Sequence, residues 1–274
     1  MSPRLIWNGY GKAAVRLVKV VRDGPDHGLH DLTIDVQIQG DFAEAHVAGS
    51  NAAVLPTDTM KNTVYALARE SEVAPVEEFG IRLARHFAAA CPASRSVTIT
   101  ITVHPWEQAG SHAMIRSGAE RRTTVVTAEG GTFTVQAGLD GLGMLRTSGS
   151  AFAGFLRDRY TTLADTTDRL MATDVTARWT YARPPADWQA AWKAVRSAIV
   201  TTFTSHESQS VQQTLFAMGA AALAACEEVQ DIRLVLPNRH HHLVDLSPFG
   251  LDNPDQVYLA TSEPYGRIEA VIAR

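Results

Sequence analysis

Apolar and polar side chains alternate through residues 32–38, where Leu32, Ile34, Val36 and Ile38 are interleaved with Thr33, Asp35 and Gln37. The same rhythm runs through Val97, Ile99, Ile101 and Val103, interleaved with Thr98, Thr100 and Thr102. A period of two with one apolar face predicts half-buried antiparallel strands. Shorter stretches of this kind occur at Val15/Leu17, Phe133/Val135 and Ile268/Ala270/Ile272. Elsewhere the apolar spacing is three and four. Met60, Val64 and Leu67 follow Thr57-Asp58, a pair suited to opening a helix, and Phe79, Leu83, Phe87 and Ala90 follow Pro75. Trp188, Trp192, Val195, Ile199 and Phe203 follow Pro184-Pro185, and Val211, Leu215, Met218, Ala222 and Cys226 follow Ser208 to Ser210. These stripes predict two helix pairs, over about 57–91 and about 185–226.

In order, the elements read strand, strand, helix, helix, strand, strand, and then the same again. Between the pairs, Gly130-Gly131 and the glycine-rich run Gly138 to Gly143 predict turns. The expected fold class is α+β: two units, 1–137 and 138–274, with helices on one face of a shared antiparallel sheet. The uncharged face of Thr98, Thr100 and Thr102 suits plain solvation, or the wall of a water-filled tunnel where several sheets close together.

Composition narrows the function. The chain has 274 residues, a formal net charge of −4 and no basic run, which argues against nucleic-acid binding. Its longest apolar stretch, Leu215 to Cys226, is too short to span a bilayer. The segment Met1 to Trp7 has no signal-peptide core, and Ile272-Ala273-Arg274 is not a peroxisomal tripeptide, so the expected location is cytoplasmic. Cys91 and Cys226 each end a predicted helix and read as buried thiols rather than a disulfide or a metal pair.

Common chemical motifs are missing. Gly9-Tyr10-Gly11-Lys12 lacks the remaining spacing of a phosphate loop, and Gly141-x-Gly143 lacks the third glycine of a dinucleotide fingerprint. There is no G-x-S-x-G elbow and no C-x-x-C. In His240-His241-His242 the outer two would share a face of a strand, but Asp245 is the only further ligand type nearby, so no metal site is expected. Lys12, Thr57-Asp58 and Arg169 each have an ordinary structural reading: a surface lysine, a helix start and an exposed ion-pairing arginine. Composition and spacing alone stop at a duplicated α+β protein.

Several segments, taken together and in order, resemble the urate oxidase (uricase) family. They are Tyr10-Gly11-Lys12-x-x-Val15-Arg16-x-x-Lys19-Val20; Pro56-Thr57-Asp58-Thr59-Met60-Lys61-Asn62-Thr63-Val64-Tyr65; Phe152-x-Gly154-Phe155-Leu156-Arg157-Asp158-x-Tyr160-Thr161-Thr162-Leu163; Asp168-Arg169-Leu170-x-x-Thr173-Asp174-Val175; Ser210-Val211-Gln212-x-Thr214; and Leu236-Pro237-Asn238-x-His240. The resemblance runs from about residue 8 to the end. It implies a tandem T-fold, two β-β-α-α-β-β units, forming a homotetrameric barrel with a central tunnel and active sites at subunit interfaces. It implies urate-holding residues at Thr57, Asp58, Phe152, Leu163, Arg169, Val211 and Gln212, with Asn238 and Thr57 on the oxygen side. It also implies a proton relay of Lys12, Thr57 and His240. The sequence departs from the family at Arg239 and His241-His242, and at Ser111-His112-Ala113-Met114, which replaces a more aromatic stretch.

The implied activity is oxidation of urate by O2 and water to 5-hydroxyisourate and hydrogen peroxide, with no cofactor and no metal. The residue types suit it. A planar guanidinium gives paired, charge-assisted hydrogen bonds along one edge of a purine anion, which lysine cannot do. The glutamine amide offers a donor and an acceptor to another edge, and a phenylalanine stacks on the ring. Amides at a helix start favour negative charge. Two alternatives stand beside this expectation: a zinc-dependent pterin-type enzyme of the same fold, which would need three converging histidines, and a non-catalytic purine- or pterin-binding protein.

Overall fold

A computed structural model of the chain describes residues 3–274; Met1 and Ser2, part of the leader reading, lie outside the described residues. The chain divides into two compact units, one of Met1–Gly138 with Pro184–Gln189 and the other of Leu139–Arg183 with Ala190–Arg274. The first opens with β1 (Gly9–Val21), β2 (Gly28–Gly40) and a short α1 (Ala43–Val47). It continues with α2 (Thr57–Glu70), α3 (Val76–Ala90), β3 (Ser94–Val103), a small ribbon of β4 (Trp106–Gln108) and β5 (Met114–Arg116), then β6 (Arg121–Glu129). Strands β1, β2, β3 and β6 pair antiparallel in that order. The alternation predicted for β2 and β3 is observed: Ile34, Ile38, Val97, Ile99 and Ile101 are fully buried, as are Met60, Phe79, Leu83 and Phe87 of the two helices. Each such side chain contributes about 1.5–3 kcal/mol by leaving water.

Strand β7 (Thr132–Arg146) follows the two-residue turn Gly130-Gly131, whose φ angles of 56° and 82° suit a tight hairpin. It passes from the first unit into the second at Gly138. The second turn expected from sequence, over Gly138 to Gly143, is absent: those residues lie inside β7. Ala137, Leu139 and Leu142 are buried along it, and Gly141, at φ 73°, falls where the alternation skips a residue. Glycine in a strand more often marks such an irregularity than a chain reversal.

The second unit continues with β8 (Met171–Tyr181), α4 (Trp188–Ser205), α5 (Val211–Ala225), β9 (Val229–Asn238), a ribbon of β10 (His241–Leu243) and β11 (Tyr258–Ala260), and β12 (Gly266–Ala273). β8, β9 and β12 pair antiparallel. Its core joins Val175 and Trp179 of β8 and Ile232, Leu234 and Leu236 of β9 with Ile199 and Met218 of the helices. The fold is α+β with antiparallel sheet structure. Cys91 and Cys226 follow the last turns of α3 and α5, both buried and unpaired. Among the described residues no helix is long and apolar enough to cross a membrane.

Candidate active site

The expected site residues fall into two groups, one in each unit. In the first unit, Lys12 is placed by an irregularity in β1. Tyr10 and Lys12 stand opposite Ile38 and Val36, while Val15 and Leu17 stand opposite Ile34 and Leu32. All four partners on β2 are buried, so Lys12 and Val15 project to the same, helix-covered face. In a regular strand, residues three apart point to opposite faces. A bulge at Ala13 and Ala14 makes the difference: the pairing shifts between Lys12 and Val15, and Ala14 adopts a left-handed φ of 56°. The Ala14 amide donates to Asp35 Oδ1 at 2.6 Å, which satisfies the group that the bulge unpairs. Gly11 permits the close approach beside it, because a Cβ there would lie 2.0 Å from the Val36 carbonyl oxygen.

One hydrogen bond ties this strand to the start of α2. The Leu55 amide donates to the Tyr10 hydroxyl at 2.8 Å, and the Tyr10 ring meets Phe42 edge-on at 4.8 Å. Burial and the neighbouring Cys91 push Tyr10 up to about 12, so it stays a neutral phenol. Tyr10 lies just upstream of Lys12, and Leu55 just upstream of Thr57. The expected Thr57-Asp58 cap is not formed. Pro56 occupies the N-cap with φ −58°, no side chain caps the helix, and Thr57 becomes its first residue. Asp58 instead accepts from Lys61 at 2.5 Å and Asn62 at 3.0 Å. The Lys61 contact chiefly, with a smaller contribution from the charge of Lys12, holds its carboxyl below the usual carboxylate range. The first-turn amides have no intrahelical acceptor and carry the positive end of the helix dipole.

In the second unit, Phe152 lies on the irregular segment between β7 and β8. It exchanges backbone hydrogen bonds with Thr166, 2.8 Å one way and 2.9 Å the other. The Phe155 ring stacks on it at 4.9 Å, and the Arg169 guanidinium carbon lies 5.2 Å from the same ring's centroid. Arg169 is not the exposed ion-pairing residue that its sequence setting suggests. It is half-buried, its Nε is shielded from solvent without a hydrogen-bond partner, and burial lowers its pKa. Leu163 is 53% exposed, and its carbonyl accepts from Arg157 at 2.9 Å. Val211, buried, and Gln212, exposed, open α5. Ser210 caps that helix, its hydroxyl accepting from the Gln213 amide at 3.1 Å.

Asn238 ends β9 opposite Gly266, and His240 follows two residues later. Between them Arg239 is anchored. Its amide donates to the Ala172 carbonyl at 2.8 Å, its guanidinium reaches Asp174 at 2.7 Å and 2.9 Å, and Nη1 donates to the Ser262 carbonyl at 3.1 Å. His240 lies near Arg169: burial first, then the charges of His242, Arg169 and His241, lower its pKa and favour the neutral ring. The rings of His240 and His242 are 6.1 Å apart. Among the described residues no three His, Cys, Asp or Glu side chains are grouped to hold a metal ion.

The second unit thus brings the Phe152 ring and His240 to the half-buried Arg169, whose Nε has no hydrogen-bond partner among the described residues, with α5 starting nearby. Sequence reasoning missed Asp35, Phe155, the Arg239–Asp174 anchor and the hydroxyl contact of Tyr10. Tyr10 and Phe155 sit within motifs already quoted, but Asp35 looks like any polar residue of an alternating strand.

A duplicated α+β fold that sets a half-buried guanidinium against an aromatic ring belongs to a class of proteins suited to hold a flat anion. The sequence profile of the family described as uricase matches residues 8–127 and 135–269. The uricase of Arthrobacter globiformis is 45% identical over 269 residues, 97% of this chain and 89% of its own. That of Danio rerio is 35% identical over 278 residues, 97% of this chain and 93% of its own. A crystal structure of the Arthrobacter globiformis uricase superposes with a TM-score of 0.97 at 44% identity, covering all of this chain and 96% of the other. The chain belongs to the uricase family.

Proposed function

We propose that this chain oxidises urate with O2 and water to 5-hydroxyisourate and hydrogen peroxide, without a cofactor. The observation that carries the reading is Arg169: a half-buried cation with a shielded, unpaired Nε, beside the Phe152 ring and within the electrostatic reach of His240. A buried donor without a partner is costly, and an anionic acceptor would remove that cost. In this reading Arg169 and Gln212 bind the edges of urate, Phe152 stacks on its face, Leu163 and Val211 line the site, and the amides at Thr57 and Asp58 meet its charge. Lys12 removes a proton through the Thr57 hydroxyl. The urate dianion passes two electrons to O2, held by Asn238 and Thr57, and water adds at C5. His240, favoured as the neutral ring, can accept the proton that this water gives up. Counted as neutral molecules, the four hydrogens of uric acid and two of water become four on 5-hydroxyisourate and two on peroxide, so atoms and electrons balance with no further reactant.

We place the active site at a subunit interface of a homotetramer, with Lys12 and Thr57 from one chain and Arg169, Gln212, Asn238 and His240 from its neighbour. Exposed apolar side chains on the Phe152 segment, Leu156 at 98% and Leu163 at 53%, support a covering partner there. A cytoplasmic location is part of the same reading, supported by two unpaired thiols. The decisive measurement is loss of the ultraviolet urate band together with peroxide release, using protein extensively treated with chelator. Full activity after chelation is expected. Activity that vanishes with chelation and returns with one added metal would replace this reading with a metal-dependent one.

A further inference from the structure

We infer that Asp168 is a positioning residue of the anion clamp, its carboxylate holding Phe152, Arg169 and the start of α5 in one frame; the inference rests on the urate reading above. One carboxylate takes three donors from a single loop. The Ser148 hydroxyl reaches Oδ2 at 2.6 Å, and the amides of Gly149 and Ser150 reach Oδ1 at 2.7 Å and 3.3 Å. Gly149 has φ 76°, a conformation that other residues rarely adopt, and a Cβ there would lie 2.5 Å from Arg146 Nη2.

The loop passes this restraint to the other segments. The Gly149 carbonyl accepts from the Ser208 amide at 3.0 Å, and the Ala151 amide donates to the Ser208 carbonyl at 2.8 Å. The Ser208 hydroxyl donates to the Ser210 carbonyl at 3.1 Å and accepts from the Thr214 hydroxyl of α5 at 2.7 Å. Ser210 is the cap that precedes Val211 and Gln212. In the other direction Phe152 pairs with Thr166, whose hydroxyl donates to the Asp168 carbonyl at 2.7 Å. Asp168 therefore stands at the junction of three segments, one peptide from Arg169, while its own side chain is spent on the loop.

A carboxylate suits this loop best. Three donors converge on two acceptor oxygens; an asparagine could keep Oδ1 on the two amides and turn its NH2 to the Ser148 hydroxyl, but it would lose the charge that strengthens all three hydrogen bonds. The Ser148 hydrogen bond chiefly, with the loop amides, holds the Asp168 carboxyl below its ordinary range. A depressed folded value means that the restraint is present above the ordinary aspartate range and is lost only as pH falls through that lower value. The clamp is therefore held at neutral pH.

The test is Asp168→Asn, with Ser148→Ala as a milder second variant, each compared with wild type for urate KM, kcat, affinity for the urate analogue 8-azaxanthine, and thermal unfolding midpoint. Asp168→Asn should raise KM and the analogue Kd about tenfold, as expected for lost charge-assisted hydrogen bonds, and leave kcat within about twofold. Ser148→Ala should move the same two quantities less, with its unfolding midpoint retained. Unchanged KM and Kd in both variants, or a fall in kcat with KM unchanged, would overturn the assignment. Wild-type protein that binds the analogue but oxidises no urate would overturn the proposed function while leaving the Asp168 comparison readable. Wild-type protein that binds no analogue would end both.

Discussion

Lys12 and Arg169 are both cations, yet their surroundings suit them to different work in the proposed reaction. Lys12 stands beside a helix start, on a strand tied by Tyr10 to the segment that leads into Thr57. Arg169 lies against an aromatic ring with its Nε shielded. A planar donor held beside a ring meets substrate in ground and transition states alike, whereas a proton-transfer group matters only as the reaction proceeds. Arg169→Ala should therefore raise KM for urate and Kd for 8-azaxanthine by about 10- to 100-fold, the range for losing charge-assisted hydrogen bonds. Lys12→Ala should lower kcat by about 100-fold or more, as for removal of a general base, with analogue affinity nearly unchanged. Calorimetric titration with the analogue, run beside steady-state kinetics, separates the two. Equal losses of analogue affinity in both variants would defeat the division of roles.

Among the elements, those with one clean apolar face were readable from sequence, and those shaped by backbone irregularity were not. β2 and β3 follow their alternation because Ile34, Ile38, Ile99 and Ile101 have only one way to be buried. The glycines of β7 suggested a reversal, since glycine favours turns in isolation, but Leu139 and Leu142 keep that segment within a strand. α2 starts at Thr57 as its spacing predicts, but Pro56 takes the N-cap position, so neither Thr57 nor Asp58 caps the helix. The family motifs point to the candidate site residues, but not to the means by which Lys12 reaches the helix-covered face, because Ala13 and Ala14 carry no signal of a bulge. Ala14→Val tests that device, because a β-branched residue resists the left-handed φ of 56° that the bulge needs. A regular ladder running back from Val15 opposite Ile34 would put Lys12 opposite Gln37 and turn it to the opposite face. Measured turnover should fall to the level of Lys12→Ala while analogue binding and the circular dichroism spectrum are retained. Turnover near wild type would show that the bulge does not place Lys12.

At the scale of the whole molecule, the candidate site residues are divided between the two units. The first unit holds Lys12, Thr57 and Asp58, and the second holds Phe152, Leu163, Arg169, Val211, Gln212, Asn238 and His240. With the proposed placement, a two-fold interface carries two equivalent sites, each drawing on both chains. Inactive Lys12→Ala and Arg169→Ala chains, unfolded together and refolded as an equal mixture, would then complement. In each mixed pair one site carries both defects and the other carries neither. Half the pairs are mixed, so activity should recover to roughly one quarter of wild type by this symmetry. Mass spectrometry establishes that hybrids form, and hybrids without activity would mean that both residues serve one site from within one chain.

The two cysteines have a consequence for an enzyme that would release peroxide at every turnover. Sulfur is oxidised mainly as thiolate and mainly where solvent reaches it. Cys91 is 1% exposed and Cys226 is 5% exposed, and burial, with Glu228 nearby, raises the pKa of Cys226 and keeps its proton on. Neither thiol is offered to the product. The chain carries the two oxidation-prone groups that a peroxide-producing catalyst can least afford to leave in the open, and it has placed both behind the ends of helices, where damage by its own chemistry would first require the fold to open.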